Sequence, residues 1–574
     1  MSAEPARPGT LALFAEWSAE QHGPQPALRF RTADGDGWET VTYTEFRDTV
    51  RAIARGLMGL GVRRGDRVAV LAETRPEWTY AHLAVLAAGA VVVPVYPTAG
   101  EEEVTWVLGD SAASVILCED AAQRERVERV RGKLPALRAV VPMDTMGELA
   151  AQAPLDELLA RSGSVEPGDL CSIIYTSGTT GMPKGCRITH GNIVSVHDST
   201  VDFIEGGPGS VTYLYLPLAH AMAQLIELRC LVQGGELCFF GGVIENIVAE
   251  LAEVKPTHLP SVPRLFEKVH ATVLSIAESQ EGGRERFDAA VRLGVQAADL
   301  RAQDKELPEE LREPYAAADE KLYGLVRAIF GGRLRWALTG AAPIAPQTLD
   351  FLRACGIEIF EGYGMTESGG VIALNHAGAV RYGTVGKPIP GCEVRIAEDG
   401  EVLARGANVF PGYHANEAAT AQTLDPEGWL HTGDLGSLDE DGYLTITGRK
   451  KDLIITSAGK NLTPSQVELA IQQSRYVSRA VMVGDKRPYP VALITLDPDT
   501  TKGLPEDEIR RLVEAAVEAA NAQVARPARI RAFTILDGDF TVETGVLTPT
   551  MKVRRKAVMD RYAAEIEALY APPG

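Results

Sequence analysis

The sequence predicts an α/β protein: a large N-terminal domain of α/β sheets with a β-rich subdomain, then a small C-terminal α+β domain. Three observations carry that expectation. At 574 residues the chain exceeds what one hydrophobic core accommodates, so two or more domains are required. Apolar β-branched runs alternate with helical periodicity through residues 67–141, the pattern of a mostly parallel sheet with crossovers. Residues 388–448 are dense in Gly, Asp and short apolar runs, which suggests hairpins, and the last stretch has a small pattern of its own.

Taken in order, residues 67–71 read as a strand and 76–88 as a helix with Pro76 at its start. Strands follow at 91–93, 114–117 and 139–141, with helices at 101–108 and 121–132 between them. The most membrane-like run, 80–96, contains His82 and Pro94 and breaks at Gly89, so it reads as a buried helix and strand rather than a span. Residues 214–220 and 236–240 are further apolar runs. The charged, Glu/Arg/Ala-rich segment 264–330 reads as helices with a polar face, broken near 280–283 and 307–308. Strand-like runs resume at 334–338 and 357–360. In the last part, 481–483, 491–494 and 532–535 read as strands and 506–524 as a helix.

Composition excludes several classes. A formal net charge of -20 argues against nucleic-acid binding and against bulk attraction to anionic membranes. The seven cysteines are scattered without a C-x-x-C pair, so neither a zinc site nor a disulfide framework is indicated. Reduced core thiols in a cytoplasmic protein are the simplest reading. Residues 1–11 lack the apolar core of a secretory signal.

The chain is organised around Tyr175-Thr176-Ser177-Gly178-Thr179-Thr180-Gly181-Met182-Pro183-Lys184-Gly185. A strand precedes it and a helical pattern begins near Asn192. That setting lets backbone N–H groups and hydroxyls converge on phosphate oxygens, with Lys184 adding positive charge. It is not a Walker loop, because Lys184 follows proline and precedes glycine. The alternative is a solvated polar turn.

Further stretches each have a functional and a bland reading. Gly362-Tyr363-Gly364-Met365-Thr366-Glu367-Ser368 offers an aromatic to stack on a base and a carboxylate of the kind Mg²⁺ takes beside phosphates, or else a turn with a solvated Glu. His431-Thr432-Gly433-Asp434 offers an acceptor for ribose hydroxyls, or a β-turn. Gly448-Arg449-Lys450-Lys451-Asp452 is a hinge or a solvated loop. Lys552 and the basic residues after it are a site or a solvated face. His220, after an apolar run, is by itself a core histidine.

Together, in this order and spacing, these stretches resemble the adenylate-forming superfamily of acyl-CoA synthetases, luciferases and nonribosomal adenylation domains, over residues 25–570. The wording of 255–268, 331–335 and 540–550, with the helical insert at about 265–330, is most similar to the long-chain fatty acyl-CoA synthetase branch. The resemblance implies a domain of residues 1–449 and a mobile lid of 450–574. It implies a two-step reaction: a fatty carboxylate attacks the α-phosphate of MgATP, and the thiol of CoA then takes the acyl group.

By that resemblance Thr176, Ser177, Gly178, Thr179, Thr180, Gly181 and Lys184 would hold the β- and γ-phosphates. Gly340, Ala341 and Ala342 would flank the adenine opposite Tyr363, in the segment Glu361, Gly362, Tyr363, Gly364. Thr366 would contact the α-phosphate, and Glu367 with Thr176 would take Mg²⁺. Asp434 and Arg449 would hold the ribose. Lys552 would bridge carboxylate and α-phosphate, Lys451 would be the pivot, and His220 would sit near the acyl carbon. Ala221 and Gln224 would line the acyl pocket, where many long-chain enzymes carry bulkier or aromatic residues. Cys186 and Ala458 replace the more usual Val and Gly, which is read as neutral. Rival readings are an acyl carrier protein as thiol acceptor, an inactive acyl- or nucleotide-binding regulator, and, least favoured, a luciferase-type oxygenase. Transient membrane contact and oligomeric state stay open.

Overall fold

The computed structural model describes residues 7–32, 34–149, 152–176, 182–542, 544–548 and 551–571. Among these, a six-stranded sheet runs in the order Ala139–Pro142, Val115–Cys118, Arg67–Leu71, Val91–Val95, Leu170–Thr176, Lys184–Thr189. All its pairings are parallel except the last. A nine-stranded sheet has a parallel centre in the order Ile359–Tyr363, Trp336–Thr339, His258–Ser261, Val211–Leu214, Glu236–Phe239. Val-rich strands buried on both faces are what helix-covered parallel sheets require, and Val91–Val95 is buried throughout.

The two sheets share one core. Val68, Val92 and Ile174 of the first join Leu28, Leu214 and Leu237 of the second in a single apolar cluster. The helix Pro76–Ala87 lies within it, and nearly all of its residues are buried, as an all-round apolar helix demands. Pro76 supplies a preset φ at its first turn, where no N–H is needed. Across the nine-stranded sheet, Tyr213 and Leu259 join Phe266, Phe287 and Phe351 in a second core beneath the helices Pro263–Glu278, Gly283–Ala302 and Pro346–Ala354.

The Gly/Asp-rich stretch forms an antiparallel sheet of Cys392–Ile396, Glu401–Gly406, Leu430–Leu438 and Leu444–Arg449. Strands Val477–Val483, Val491–Leu496 and Phe533–Ile535, with helices Pro464–Gln472 and Glu506–Ala522, enclose a separate core around Ile494 and Val513. No helix among the described residues is long and apolar enough to cross a membrane.

One expectation is corrected. The glycine loop does not run from strand to helix; it closes an antiparallel hairpin whose register pairs Thr176 with Lys184. Cys186 and Ile188 alternate inward in the returning strand, which inserts a sheet partner between the loop and the helix. The helix begins at His190, close to the expected Asn192, capped by the Thr189 hydroxyl.

Gly386 sits at φ +84°, and a Cβ there would meet the backbone carbon of Leu374 at 2.0 Å. Gly386→Ala is therefore expected to cost more than about 2 kcal/mol of stability, read as a lowered urea midpoint at unchanged slope.

Candidate active site

The strand ends of the larger sheet, the glycine hairpin and the C-terminal segment open on a cavity of about 630 Å³. Its wall brings together Thr176, Lys184, His220, Ala221, Gly340, Ala341, Gly362, Tyr363, Gly364, Thr366, Glu367, Asp434, Arg449, Lys451 and Lys552. Residues scattered over most of the chain thus meet in one place. Ser177 to Gly181 lie outside the described residues. Ala342 and Glu361 are not part of the wall. The Glu361 carboxylate instead accepts from the Gly383 N–H at 3.1 Å, and burial pushes its pKa up to about 7.

Each polar side chain is held from behind. The Tyr413 hydroxyl donates to Glu367 Oε1 at 2.7 Å, and the Lys184 ammonium stands over the Tyr413 ring, 5.1 Å from its centre. One aromatic therefore fixes both a carboxylate and a cation. The Tyr363 hydroxyl donates to Asp434 Oδ2 at 2.7 Å, while Arg449 Nε lies 3.1 Å from Oδ1. The Asp434 backbone N–H donates to the Thr432 hydroxyl, which itself donates to the Val402 carbonyl. Asp434 is thereby immobilised in a strand rather than a turn. Gly364 approaches Gly370 so closely that a Cβ would come within 2.2 Å of its carbonyl oxygen. Ala341 adopts φ +66°, a left-handed conformation that costs a non-glycine residue on the order of 1 kcal/mol and clusters at ligand sites.

His220 caps the helix Ala221–Val232: its Nδ1 accepts from the Met222 N–H at 3.2 Å. In the neutral ring the proton is then on Nε2, free to donate. Desolvation, and next the charge of Lys552, pushes the His220 pKa down to about 4. Lys552 itself is accessible to solvent through the cavity mouth yet crowded by protein. Desolvation first, and Arg449 second, lower its pKa, opposed by Asp434 and Glu367. The Lys451 pKa is lowered in the same way, by desolvation and by Arg449.

The helix after His220 carries the cavity inward. Ala221, Met222, Leu225, Ile226, Arg229, Cys230 and Gln233 line it. These positions recur every three to four residues and form one helical face about 18 Å long at 1.5 Å per residue. Gln224, expected in the acyl pocket, is on the opposite side of that helix. At 100° per residue it points away from the face built on Leu225 and Arg229, and its Nε2 donates to the Leu218 carbonyl at 3.0 Å. Leu225 and Ile226 take the place it was expected to fill. Sequence reading also passed over Tyr413 and Arg229. A signal existed for the last, since 221, 225, 229 and 233 continue a strict i, i+4 stripe.

An α/β fold whose strand ends meet a loop-built, cation-rimmed cavity is that of a nucleotide-handling enzyme. Comparison with known proteins makes this specific. The family model described as AMP-binding enzyme matches residues 15–414, and that described as AMP-binding enzyme C-terminal domain matches 451–573. The chain belongs to the AMP-binding enzyme family. It is 40% identical to the long-chain-fatty-acid–CoA ligase FadD15 of Mycobacterium tuberculosis, over 96% of this chain and 95% of that one. It is 31% identical to the human long-chain-fatty-acid–CoA ligase ACSBG1, over 99% and 86%. The fold is shared with the adenylation domain of a carboxylate reductase from Mycobacterium chelonae, with TM-score 0.77, 22% identity and coverage of 99% and 92%. It is also shared with o-succinylbenzoate CoA synthetase from Bacillus subtilis, with TM-score 0.70, 22% identity and coverage of 95% and 97%.

His220 is expected to stay neutral from pH 8 down to about pH 5, since its pKa is near 4. Its Hε1 resonance should be flat across that range. Lys552→Ala removes a neighbouring positive charge and should raise the midpoint; a titration near pH 6.5 in the unmodified protein contradicts this placement.

Proposed function

We propose that the chain is a long-chain fatty acid–CoA ligase that forms AMP, with residues 1–449 as the adenylating body and 450–574 as a lid. The observation that carries it is the meeting of Lys552, Glu367 and Asp434 with His220 at the head of an apolar passage. In the first step a carboxylate oxygen of the fatty acid bonds to the α-phosphorus of ATP, and pyrophosphate leaves with the bridging oxygen. In the second the CoA thiol sulfur bonds to the acyl carbon, loses its proton, and AMP leaves.

The barrier in the first step is electrostatic, because an anion must approach a polyanion. Lys552, in the wall of the same cavity, would bridge the two, and an ammonium partly shielded from water acts more strongly than one in bulk water. Lys184 and the glycine hairpin would hold the outer phosphates, and Thr366 the α-phosphate. Asp434 and Arg449 would take the ribose hydroxyls, with Tyr363 and the Gly340–Ala341 backbone at the adenine. The His220 Nε2–H would donate to the acyl oxygen in both steps, aided by the positive end of the helix it caps.

Glu367 and the Thr176 hydroxyl fit Mg²⁺. Both line the cavity, and no group of three or more His, Cys, Asp or Glu side chains among the described residues could hold a metal alone. One carboxylate with few protein partners suits an ion bound mainly through phosphates and water. When bound, Mg²⁺ neutralises phosphate charge.

The reading is tested by AMP release with ATP, Mg²⁺ and CoA across fatty acids of increasing length. An optimum among long chains supports it; AMP release without thioester redirects it to an acyl carrier protein as acceptor. Lys552→Ala should lower adenylation by about 10²–10³-fold, the size of a lost transition-state charge contact, while acyl-adenylate supplied directly still yields thioester. Equal loss of both halves overturns the role. Lys451 is proposed as the pivot that withdraws Lys552 for the second step. Lys451→Pro should spare adenylation and block thioester formation, read in the two half-reactions separately.

A further inference from the structure

The cavity follows the parallel strands from one end to the other. Gly340 and Gly364, where the chain leaves two of the strands, line it at the catalytic end. Thr212, His258 and Trp336, at the starts of three strands, line it at the far end. The register sets these three in one row, with His258 opposite both Thr212 and Trp336.

The far end is closed by a single layer of side chains. Ile204 and Trp336 line the cavity there. The same Trp336 donates its indole Nε1–H to the Glu205 carbonyl at 3.0 Å, in a contact exposed to solvent. Its neighbour Arg335 donates to the Glu205 carboxylate at 3.0 Å, and the two side chains are 52% and 71% exposed. One ring therefore faces the cavity while its edge meets water, and Glu205 clasps it to the residue after Ile204.

The two sides of this closure are held unequally. Arg229 donates to the carbonyls of Val201 at 3.0 Å and Ile204 at 2.8 Å, and the His258 ring is stacked on Trp336 with centroids 4.4 Å apart. Between those supports lies Glu205-Gly206-Gly207-Pro208-Gly209, with Gly207 at φ +145° and Gly209 at +82°. Glycine lets such a stretch turn at little steric cost. Only the clasp on Glu205 joins its tip to the strand wall, and an exposed ion pair with one hydrogen bond is a weak fastening.

Resting on the ligase reading above, we propose that Glu205, clasped by Trp336 and Arg335, is the latch of a floor that sets acyl length. An acid that fits above the floor leaves the latch closed. A longer acid must break it to pass its terminal carbons out between residues 205–209 and Trp336, and the energy of the clasp is charged to that acid alone. Arg335 does not line the cavity, so its influence on length passes through Glu205.

The helix after His220 gives the length. An extended chain advances roughly 1.2 Å per bond, a third of the ~3.6 Å an extended peptide residue spans. The ~18 Å lining face takes about fifteen bonds, an acid of about sixteen carbons.

The test measures kcat/KM for thioester formation over saturated acids of about eight to twenty-two carbons, and reads the ratio of the twenty- to the sixteen-carbon acid. In the unmodified protein the ratio is below one. Arg335→Gln and Glu205→Ala should each raise it by up to about fivefold, the range of an exposed ion pair, and leave acids up to sixteen carbons unchanged. Because they break the same contact, the double variant should do no more than either alone. Trp336→Phe loses the donor but keeps a ring against His258, and should raise the ratio roughly two- to tenfold. A merely structural role would lower all lengths together and leave the ratio alone. The proposal is overturned if the unmodified protein uses both lengths equally, or if neither Arg335→Gln nor Glu205→Ala moves the ratio. A shift with Trp336→Phe alone also overturns it, since a smaller ring enlarges the passage without any latch. Absence of AMP release with every acid instead overturns the ligase reading on which it rests.

Discussion

The ammonium of Lys552 is the constraint on which the site depends. It belongs to the last part of the chain, yet it shares a cavity wall with Glu367, Asp434 and His220 from the main body. Protein crowded around the ammonium disfavours its charged form, although the side chain keeps contact with solvent. Asp434 and Glu367 oppose the loss of charge, but Asp434 is already engaged by Tyr363 and Arg449, and Glu367 by Tyr413. The arrangement therefore remains short of negative charge until substrate supplies it. The polar contacts that seat this part of the chain are modest. Arg264 reaches Asp497 at 3.6 Å and the Ser478 carbonyl at 3.5 Å, and Arg475 bonds Ser275. Partly exposed pairs of this kind contribute about 0–1 kcal/mol each. Such a seat is loose enough to exchange for another, as the proposed lid would have to do between the two steps.

The helix Ala221–Val232 links chemistry to selectivity. Its first turn is capped by His220, the residue proposed to face the reacting carbon, and one face then lines the cavity for its full length. Changing the lining means changing residues in phase with Ala221, so specificity can drift without disturbing His220. Gln224 illustrates the converse. Out of phase and bonded to the Leu218 carbonyl, it steadies the turn before the helix instead of touching the acyl chain.

Much of this was legible in the sequence, for identifiable reasons. Val91–Val95 and Val115–Cys118 announce themselves because strands buried on both faces must be continuously apolar. Pro76 and Pro263 mark helix starts, and the breaks at Gly282 and Pro308 bound the helices between them. What was not legible depends on partners distant in sequence. Nothing near Glu367 shows that Tyr413 will hold it. The stretch after Thr176 reads as a loop leading to a helix near Asn192, and the returning strand is missed because Gly185-Cys186-Arg187-Ile188 is too short for its alternation to stand out beside the helical pattern that follows. Glu361 was carried into the nucleotide site by its neighbours, whereas its carboxylate is taken by the Gly383 N–H, a partner distant in sequence.

The charge distribution gives the last step. The chain as a whole is acidic, with a net charge of -20, and would repel ATP, CoA and fatty carboxylates at long range. Salt limits that repulsion to about 8 Å at physiological ionic strength, so it acts outside the mouth and not within it. Inside, Lys184, Arg449, Lys450, Lys451 and Lys552 gather at one end of the same cavity, and Arg229 stands alone at the other. In the proposed reaction the cluster at the mouth would meet the phosphates and the carboxylate. At the other end the Arg229 guanidinium is spent on the Thr200 hydroxyl and the carbonyls of Val201 and Ile204, so it serves the fold.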